Sequence, residues 1–402
     1  MRAGPSQEDI RRHNLGTLLR HVHLGGPISR AELTSRMGLN RSTIMALTSD
    51  LTAAGLVREE LPRETGRAGR PSLVVRPESA RVYVFAFDVG PDRLAVARVG
   101  LGGVILDRRE SVRRRGPFDL TELTGELAAA ARQMRRKARH DAVCVGAGAA
   151  VSGGVRRSDG VIRFGPNLHA DEAPFGEALG RRLAFGLPVS VGNDANLAAL
   201  AEHSRGVGVG VRDLVYLHGD VGVGGGIIAG GHLLGGHDGY GGEIGHMVIN
   251  PGGGQCACGS RGCLEAEVGE RALLEAAGRS PEEGHQGRDA VRNVVDAADR
   301  GDIVAQEALR QVGDWLGLGV ANLVNLFNPE MVIFGGMLRE VYLGSAAQVR
   351  SRMAVSALAP QREKLRLRTS ALADDATLVG AAELAFAHVL ADPLEVLARA
   401  GG

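Results

Sequence analysis

Apolar positions in the first quarter of the chain recur at helical spacing, and beyond residue 80 they give way to short continuous runs of strand character. Leu15, Leu18, Leu19 and Val22 form the buried face of a first helix. Ser29 to Glu32 has the S-x-x-E form of a capping box and opens a second helix that ends near Met37 and Gly38. Asn40 is placed to cap a third, with Ile44, Leu47 and Leu51 turned inward; Gly55 ends it, and Leu56-Val57 starts a strand. Residues 8 to 76 therefore predict three short helices followed by a basic hairpin punctuated by glycine and proline. From Arg81 the pattern changes. Val82 to Val89 and Leu94 to Val99 predict an antiparallel pair, Asp141 to Val151 a buried strand, and Leu187 to Val191 a strand running into Gly192-Asn193-Asp194. Leu214 to Leu217 and Gly226 to Ile228 follow as strands, then a long helix from about Ile303 to Phe327 and a strand from Met331 to Phe334 closed by Gly335-Gly336. Such alternation is the pattern of an α/β fold.

The tight connection between the second and third helices predicts a helix-turn-helix, whose first turn, Asn40-Arg41-Ser42-Thr43, can reach phosphates and base edges in a major groove. With the hairpin that follows it makes a winged helix. The hairpin tip reads GRAGRPS, where Arg67 and Arg70 sit beside glycines and Pro71, a slender arrangement that suits a narrow minor groove. A protein-binding adaptor of three helices, with both arginines solvated, is the alternative. Charge favours DNA: residues 1 to 80 hold 12 Arg against 8 Asp and Glu, whereas the whole chain, with 47 basic and 46 acidic residues, is only +1. Any nucleic-acid role is therefore local. Aromatics are only 3%, which argues against a surface built on base stacking. The 402 residues are enough for two or three domains, each with its own core. No leader or long apolar span is evident, so a reducing cytoplasm and no membrane partner are expected.

The richest chemistry lies between Glu243 and Glu265, in EIGHMVINPGGGQCACGSRGCLE. His246, Cys256, Cys258 and Cys263 offer one imidazole and three thiolates, the donor set of a closed structural zinc site, with glycines between them that let the loop fold back. Free buried thiols or a disulfide are the alternative, although a thiol pair separated by one residue is strained as a disulfide and Cys144 has no evident partner. The run Arg113 to Arg115 reads as a solvated edge with no assigned role.

From about residue 82 to its end the chain resembles the ROK family of sugar kinases and sugar-responsive repressors. The likeness rests on VGNDANLAALAE, VGVGGGI, EIGH with CACGSRGC, GCLE, and the PNL and FGG pieces in family order. It implies an actin-like, ribonuclease-H-like fold of two α/β lobes closing on a cleft with sugar between them, behind the winged helix-turn-helix of the family's repressors. The divisions expected are 1–80 for the DNA reader, 81–195 for the first lobe with a C-terminal helix from about 380–402, and 196–379 for the second lobe with its zinc loop. The resemblance also implies sugar ligands: Asn193 and Asp194 at a strand end, Glu243, His246 and Glu265, and Gly153 and Asn167 from the first lobe. Asp194 matches the general base of kinase members, and His246 serves zinc with one ring nitrogen and sugar with the other.

The family's phosphate turns, Asp-x-Gly-Gly-Thr and Gly-Thr-Gly, are altered in this sequence. The first reads Asp88-Val89-Gly90-Pro91-Asp92-Arg93, where Pro91 lacks an amide donor; the second reads Asp220-Val221-Gly222, with a carboxylate in place of glycine. Gly222, Gly224, Gly225 and Gly226 survive, as tight packing alone would require. Arg93 can compensate for the added charge, so residual ATP binding stays open. The expectation is a sugar-responsive repressor with structural Zn2+, an operator in double-stranded DNA and a homodimeric or homotetrameric assembly. An ATP-using kinase, a regulator that ignores sugars and an activator are the rivals. Trp315, Leu316, Leu318 and Val320 are read as a subunit contact or as core.

Overall fold

A computed structural model describes residues 6–62, 72–116, 119–280 and 286–400. Arg67 and Arg70, on which the minor-groove expectation falls, lie outside the described residues. The N-terminal unit is a three-helix winged fold: α1 (Gln7–Gly25), β1 (Ile28–Ser29), α2 (Arg30–Met37), α3 (Arg41–Ala53), β2 (Val57–Glu60) and β3 (Val74–Pro77), with the strands ordered β1-β3-β2. Leu15, Leu18, Leu19 and Val22 are buried as the pattern predicts. Asn40 caps α3. At Ser29 only half of the expected capping box forms: its hydroxyl accepts from the Glu32 amide at 3.1 Å, but the Glu32 carboxylate turns to Arg36 one helical turn on. A complete box sits instead at Ser6 and Asp9, opening α1.

The first lobe is a five-stranded sheet ordered β11-β7-β4-β5-β6. Its elements are β4 (Val82–Val89), β5 (Arg93–Gly100), β6 (Val104–Val112), α4 (Leu120–Arg136), β7 (Val143–Val151), α5 (Phe175–Leu183), β11 (Val189–Asn193) and α6 (Asp194–Arg205). A small antiparallel sheet interrupts it, made of β8 (Gly154–Val155), β9 (Ile162–Gly165) and β10 (Ala170–Ala173). Every residue of β4 is buried because helices cover both faces, which is why its sequence is a continuous apolar run and does not alternate.

The second lobe repeats that topology. Its sheet is ordered β14-β13-β12-β15-β16, from β12 (Leu214–Gly219), β13 (Val223–Ala229), β14 (His232–Leu233), β15 (Met331–Gly336) and β16 (Arg366–Thr369). In each lobe three antiparallel strands form a meander and two parallel strands extend it on the other side. This doubling is the ribonuclease-H-like arrangement of two related halves. The helices of the second lobe are α7 (Leu264–Val268), α8 (Glu270–Ala276), α9 (Arg288–Asp299), α10 (Ile303–Phe327), α11 (Met337–Ser356) and α12 (Ala359–Arg362). Leu316 and Val320 of α10 are fully buried and Trp315 and Leu318 pack against the same core, so these four residues belong to the interior of the lobe.

The chain then returns to the first lobe through α13 (Ala376–Ala391), which lies on β4, β7 and α6, and ends in α14 (Pro393–Ala400). The C-terminal helix thus begins before the expected residue 380 and breaks at Asp392. The apolar face of α1 joins the same continuous core as α13 and the first sheet, so the winged unit is docked through its own helix as well as tethered by chain. Among the described residues no single helix is long and apolar enough to cross a membrane.

Candidate functional site

The two sheets meet where β7, β11 and β12 run out, so strand ends and the loops behind them line one side of a cleft. All seven residues carried over as sugar ligands, Gly153, Asn167, Asn193, Asp194, Glu243, His246 and Glu265, line this cleft. Ser152 and His218 join them without any signal in the sequence, and Asp220, read there only as a changed turn, faces the same space.

Asn193 is held first by the fold. Its Oδ1 accepts from the Asn196 amide at 2.9 Å, capping α6, and its Nδ2 donates to the Gly153 carbonyl at 3.1 Å. The carboxamide thereby fixes two segments of the cleft and keeps one amide hydrogen for a ligand. Asp194 accepts from the Ala195 amide at 2.7 Å through Oδ1, which leaves Oδ2 available. Glu265 accepts from the Val223 amide at 2.9 Å and from the Cys256 thiol at 3.3 Å, tying the cysteine loop to β13. A Cβ at 222 would lie 2.2 Å from Glu265 Oε2 and 2.5 Å from Asn167 Nδ2, so any larger residue would push these two cleft side chains aside. Gly226 has a packing reason too: a Cβ would press on Ala199 of α6 at 2.5 Å.

Burial pushes the Asp194 carboxyl up to about 8, and the neighbouring charges of Asp220, Asp88 and Glu243 push the same way against the Ala195 amide. Asp220 is raised by burial to about 6, with Asp92 and Asp88 adding to the rise and Arg93 and Arg288 opposing it. Burial, Arg288 and Arg93 hold His218 down at about 3, so its ring is neutral. A group with a raised folded pKa stabilises most below its unfolded value and loses that contribution as pH climbs towards the folded one. Asp194→Asn, which resembles the protonated acid, is therefore expected to gain stability relative to the parent as pH rises from about 4 to about 8. The gain is at most about 1.4 kcal/mol per pH unit. Thermal melts across that range test it, and a pH-independent difference would place the buried charge elsewhere.

His246, Cys256, Cys258 and Cys263 converge so that their donor atoms all lie within 4.8 Å of one another. Cys256 Sγ is 3.6 Å from His246 Nδ1, and Cys258 Sγ is 3.8 Å from Cys263 Sγ. A disulfide needs about 2.05 Å, so the thiols are not bridged. In a tetrahedron with metal–sulfur bonds of about 2.3 Å, sulfurs stand about 3.8 Å apart, and the cluster fits a metal ion on that count. The other ring nitrogen, His246 Nε2, points to the cleft side, 3.9 Å from Glu243 Oε2. Cys144 is buried and distant in sequence from this group.

The segments Asp88 to Arg93 and Asp220 to Gly222 both carry internal partners. The Gly90 amide donates to the Arg93 carbonyl at 2.9 Å, and the Arg93 guanidinium pairs with the buried Asp88 at 2.8 Å, where Thr377 also donates at 2.9 Å. The Asp220 amide donates to the Gly222 carbonyl at 2.9 Å. In the arginine run after β6, Arg114 is exposed but its two neighbours are not a solvated edge. Arg115 bridges Asp92 in the first lobe and the buried Glu270 of α8 in the second, at 2.8 Å each, and Arg113 donates to the Pro91 carbonyl at 2.7 Å. Charge alone does not reveal such an interlobe clasp, because its partners are 23 and 155 positions away.

In the helix-turn-helix, Asn40 Oδ1 accepts from the Thr43 amide at 2.8 Å and from the Ser42 hydroxyl at 2.7 Å. These contacts commit Asn40 and Ser42 to capping, Thr43 is half-buried, and Arg41 is exposed with its guanidinium unpaired among the described residues.

A buried polar network joins this unit to the first lobe. The Gly102 amide donates to His23 Nδ1 at 2.9 Å, which makes Nε2 the protonated nitrogen donating to Glu383 at 3.0 Å. Arg205 donates to Glu383 at 2.6 Å and to the carbonyls of Gly102 and His23 at 2.8 and 3.1 Å. Nothing in the residue pattern marks His23, Arg205 and Glu383 as neighbours.

A family model described as ROK family matches residues 84–388. A xylose repressor from Caldicellulosiruptor bescii is 29% identical over 387 residues, covering 91% of this chain and 93% of the relative. Among solved structures, a ROK family transcriptional regulator described as a homologue of the E. coli MLC protein matches with a TM-score of 0.79 at 26% identity, over 98% of this chain and 100% of that one. A ROK family glucokinase from Streptomyces griseus, in complex with glucose and AMPPNP, matches with a TM-score of 0.65 at 29% identity, over 75% of this chain and 99% of its own.

Proposed function

The chain belongs to the ROK family, and from that membership we propose that it is a transcriptional repressor whose winged helix-turn-helix holds an operator until a sugar or sugar derivative closes the two lobes. One observation carries the reading. Helix α6 begins in the cleft at Asn193 and Asp194 and ends at Arg205, which is locked to His23 of the DNA reader. A ligand gripped at the first turn of a rigid helix has a direct mechanical route to the reader through its last residue. Release from a mostly bound state requires the ligand to prefer the closed form by about 5 kcal/mol. The element limits suggest a reader over 1–80, a first lobe that includes α6 and the C-terminal helices, and a second lobe between them. Operator binding places the protein in the cytoplasm, and symmetric half-sites favour a homodimer or homotetramer.

His246, Cys256, Cys258 and Cys263 would hold a zinc ion, which when bound supplies a fixed charge and geometry that set the His246 tautomer. Every other task in the cleft falls to the chain: Asp194, Glu243 and Glu265 accept from hydroxyls and Asn193 donates. The carboxylate of Asp220 and the internal engagement of Arg93 argue against turnover of ATP, so a coupled nucleotide-consumption assay across a sugar panel is expected to stay flat.

The test is a footprint on the gene's own upstream DNA with and without a sugar panel. Protection that one sugar relieves supports the reading; protection indifferent to every sugar leaves only a DNA-binding protein. Arg41→Ala is expected to weaken binding across sequences and lower the salt slope by about 1. An unchanged slope would remove Arg41 from the phosphate contacts.

A further inference from the structure

The charges of the cleft bear on which carbohydrate it accepts, and this step rests on the sugar-responsive reading above. Asp194, Asp220, Glu243 and Glu265 bring four acidic side chains to one cleft, and none of the described residues lining it is lysine or arginine. Two guanidinium groups whose charge reaches Asp220 are engaged elsewhere, Arg93 with Asp88 at 2.8 Å and Arg288 with Asp374. His218 is neutral, and the Nδ1 atom of His246 faces the thiols. Among the described residues no side chain donates a hydrogen bond to Asp220, so its carboxylate presents its charge to the cleft.

A hydroxyl both donates and accepts, so a wall of carboxylates can grip a polyol by accepting from neighbouring hydroxyls. A phosphate ester carries nearly two negative charges and only acceptor oxygens; it is gripped best by arginine or lysine, and neither is among the described residues lining this wall. In a partly buried site the repulsion between such a group and a carboxylate is screened far less than in water. We infer that the cleft selects an unphosphorylated, uncharged polyol and that Asp220 is the side chain that turns away its phosphate ester. Asp220 and Asp194 line the same cleft, so a ligand held there meets both.

Calorimetry on the full chain tests this with three pairs of probes: D-glucose, D-xylose and N-acetylglucosamine, each against its terminal phosphate ester. The sugar that binds is expected to bind at least about tenfold more tightly than its ester, which is about 1.4 kcal/mol. Asp220→Asn is expected to narrow that ratio several-fold. The ratio is the readout because a general loss of binding cancels from it, and Asp220→Gly, which removes the side chain altogether, serves as the second variant if the first melts early. An ester that binds as tightly as its sugar overturns the inference, as does a ratio that neither substitution moves. If no member of any pair binds or changes operator affinity, the carbohydrate reading fails, which is a distinct result.

Discussion

Cys258→Ser is expected to empty the metal cluster and abolish the sugar response while leaving operator binding by the sugar-free chain close to that of the parent. Cys258 is the appropriate position because it is only half-buried, whereas Cys256 and Cys263 are buried and their replacement also disturbs packing. Structural zinc in small sites contributes on the order of 10 kcal/mol of apparent folding free energy at neutral pH, so a loop built around the ion does not keep its shape without it. The loop positions the cleft directly. His246 contributes Nδ1 to the cluster and stands beside Glu243 through Nε2, and Glu265, two residues after Cys263, accepts from the Val223 amide of β13. The DNA reader makes no use of these residues; its core is continuous with the first lobe through α1 and α13. Metal content by mass spectrometry, sugar calorimetry and operator binding, run on parent and variant, separate these effects. A purified parent free of zinc that still responds to sugar would sink the metal assignment.

The parts legible in the sequence were those set by local rules. The three N-terminal helices follow from apolar spacing and from caps at Ser29 and Asn40, and α10 was bounded correctly at Ile303 and Phe327 by its long periodic face. The cysteine loop was legible because four soft donors within eighteen residues have few other uses. What escaped depends on distant pairing. The repeated sheet topology of the two lobes leaves no repeated motif, since each strand needs only to be apolar. Glu32 completes a capping box by pattern, but Arg36 one turn on competes for its carboxylate and wins. Arg115 looked like one more surface charge, yet the fold brings it to Asp92 and Glu270 from opposite lobes. Asn193 was recognised as a cleft residue, while its work as the cap of α6 emerged only with the Asn196 amide in place.

Glu383→Ala is expected to destabilise the protein by about 3–5 kcal/mol, because it leaves Arg205 and His23 buried without the carboxylate they share. Glu383 is 8% exposed and His23 is fully buried, so water cannot take its place cheaply. Burial pulls the Glu383 carboxyl up, but the hydrogen bond and charge of His23 and the charge of Arg205 outweigh it and hold the group below the ordinary value of 4.5. A lowered folded pKa contributes stability above the unfolded value and loses it as pH falls through the folded one. The deficit of the variant is therefore full at neutral pH and shrinks on acidification below about 4.5. Glu383→Gln keeps the shape and one acceptor, and it is the variant for function if alanine unfolds the chain. Since Arg205 ends the helix that starts at the cleft, loosening the lock is also expected to bring operator affinities with and without sugar towards each other. Thermal melts against pH, together with operator binding in the presence and absence of the active sugar, distinguish a lock from a simple ion pair. A normal sugar response in a Glu383→Gln protein that has lost stability would show that the network holds the reader in place but carries no signal from the cleft.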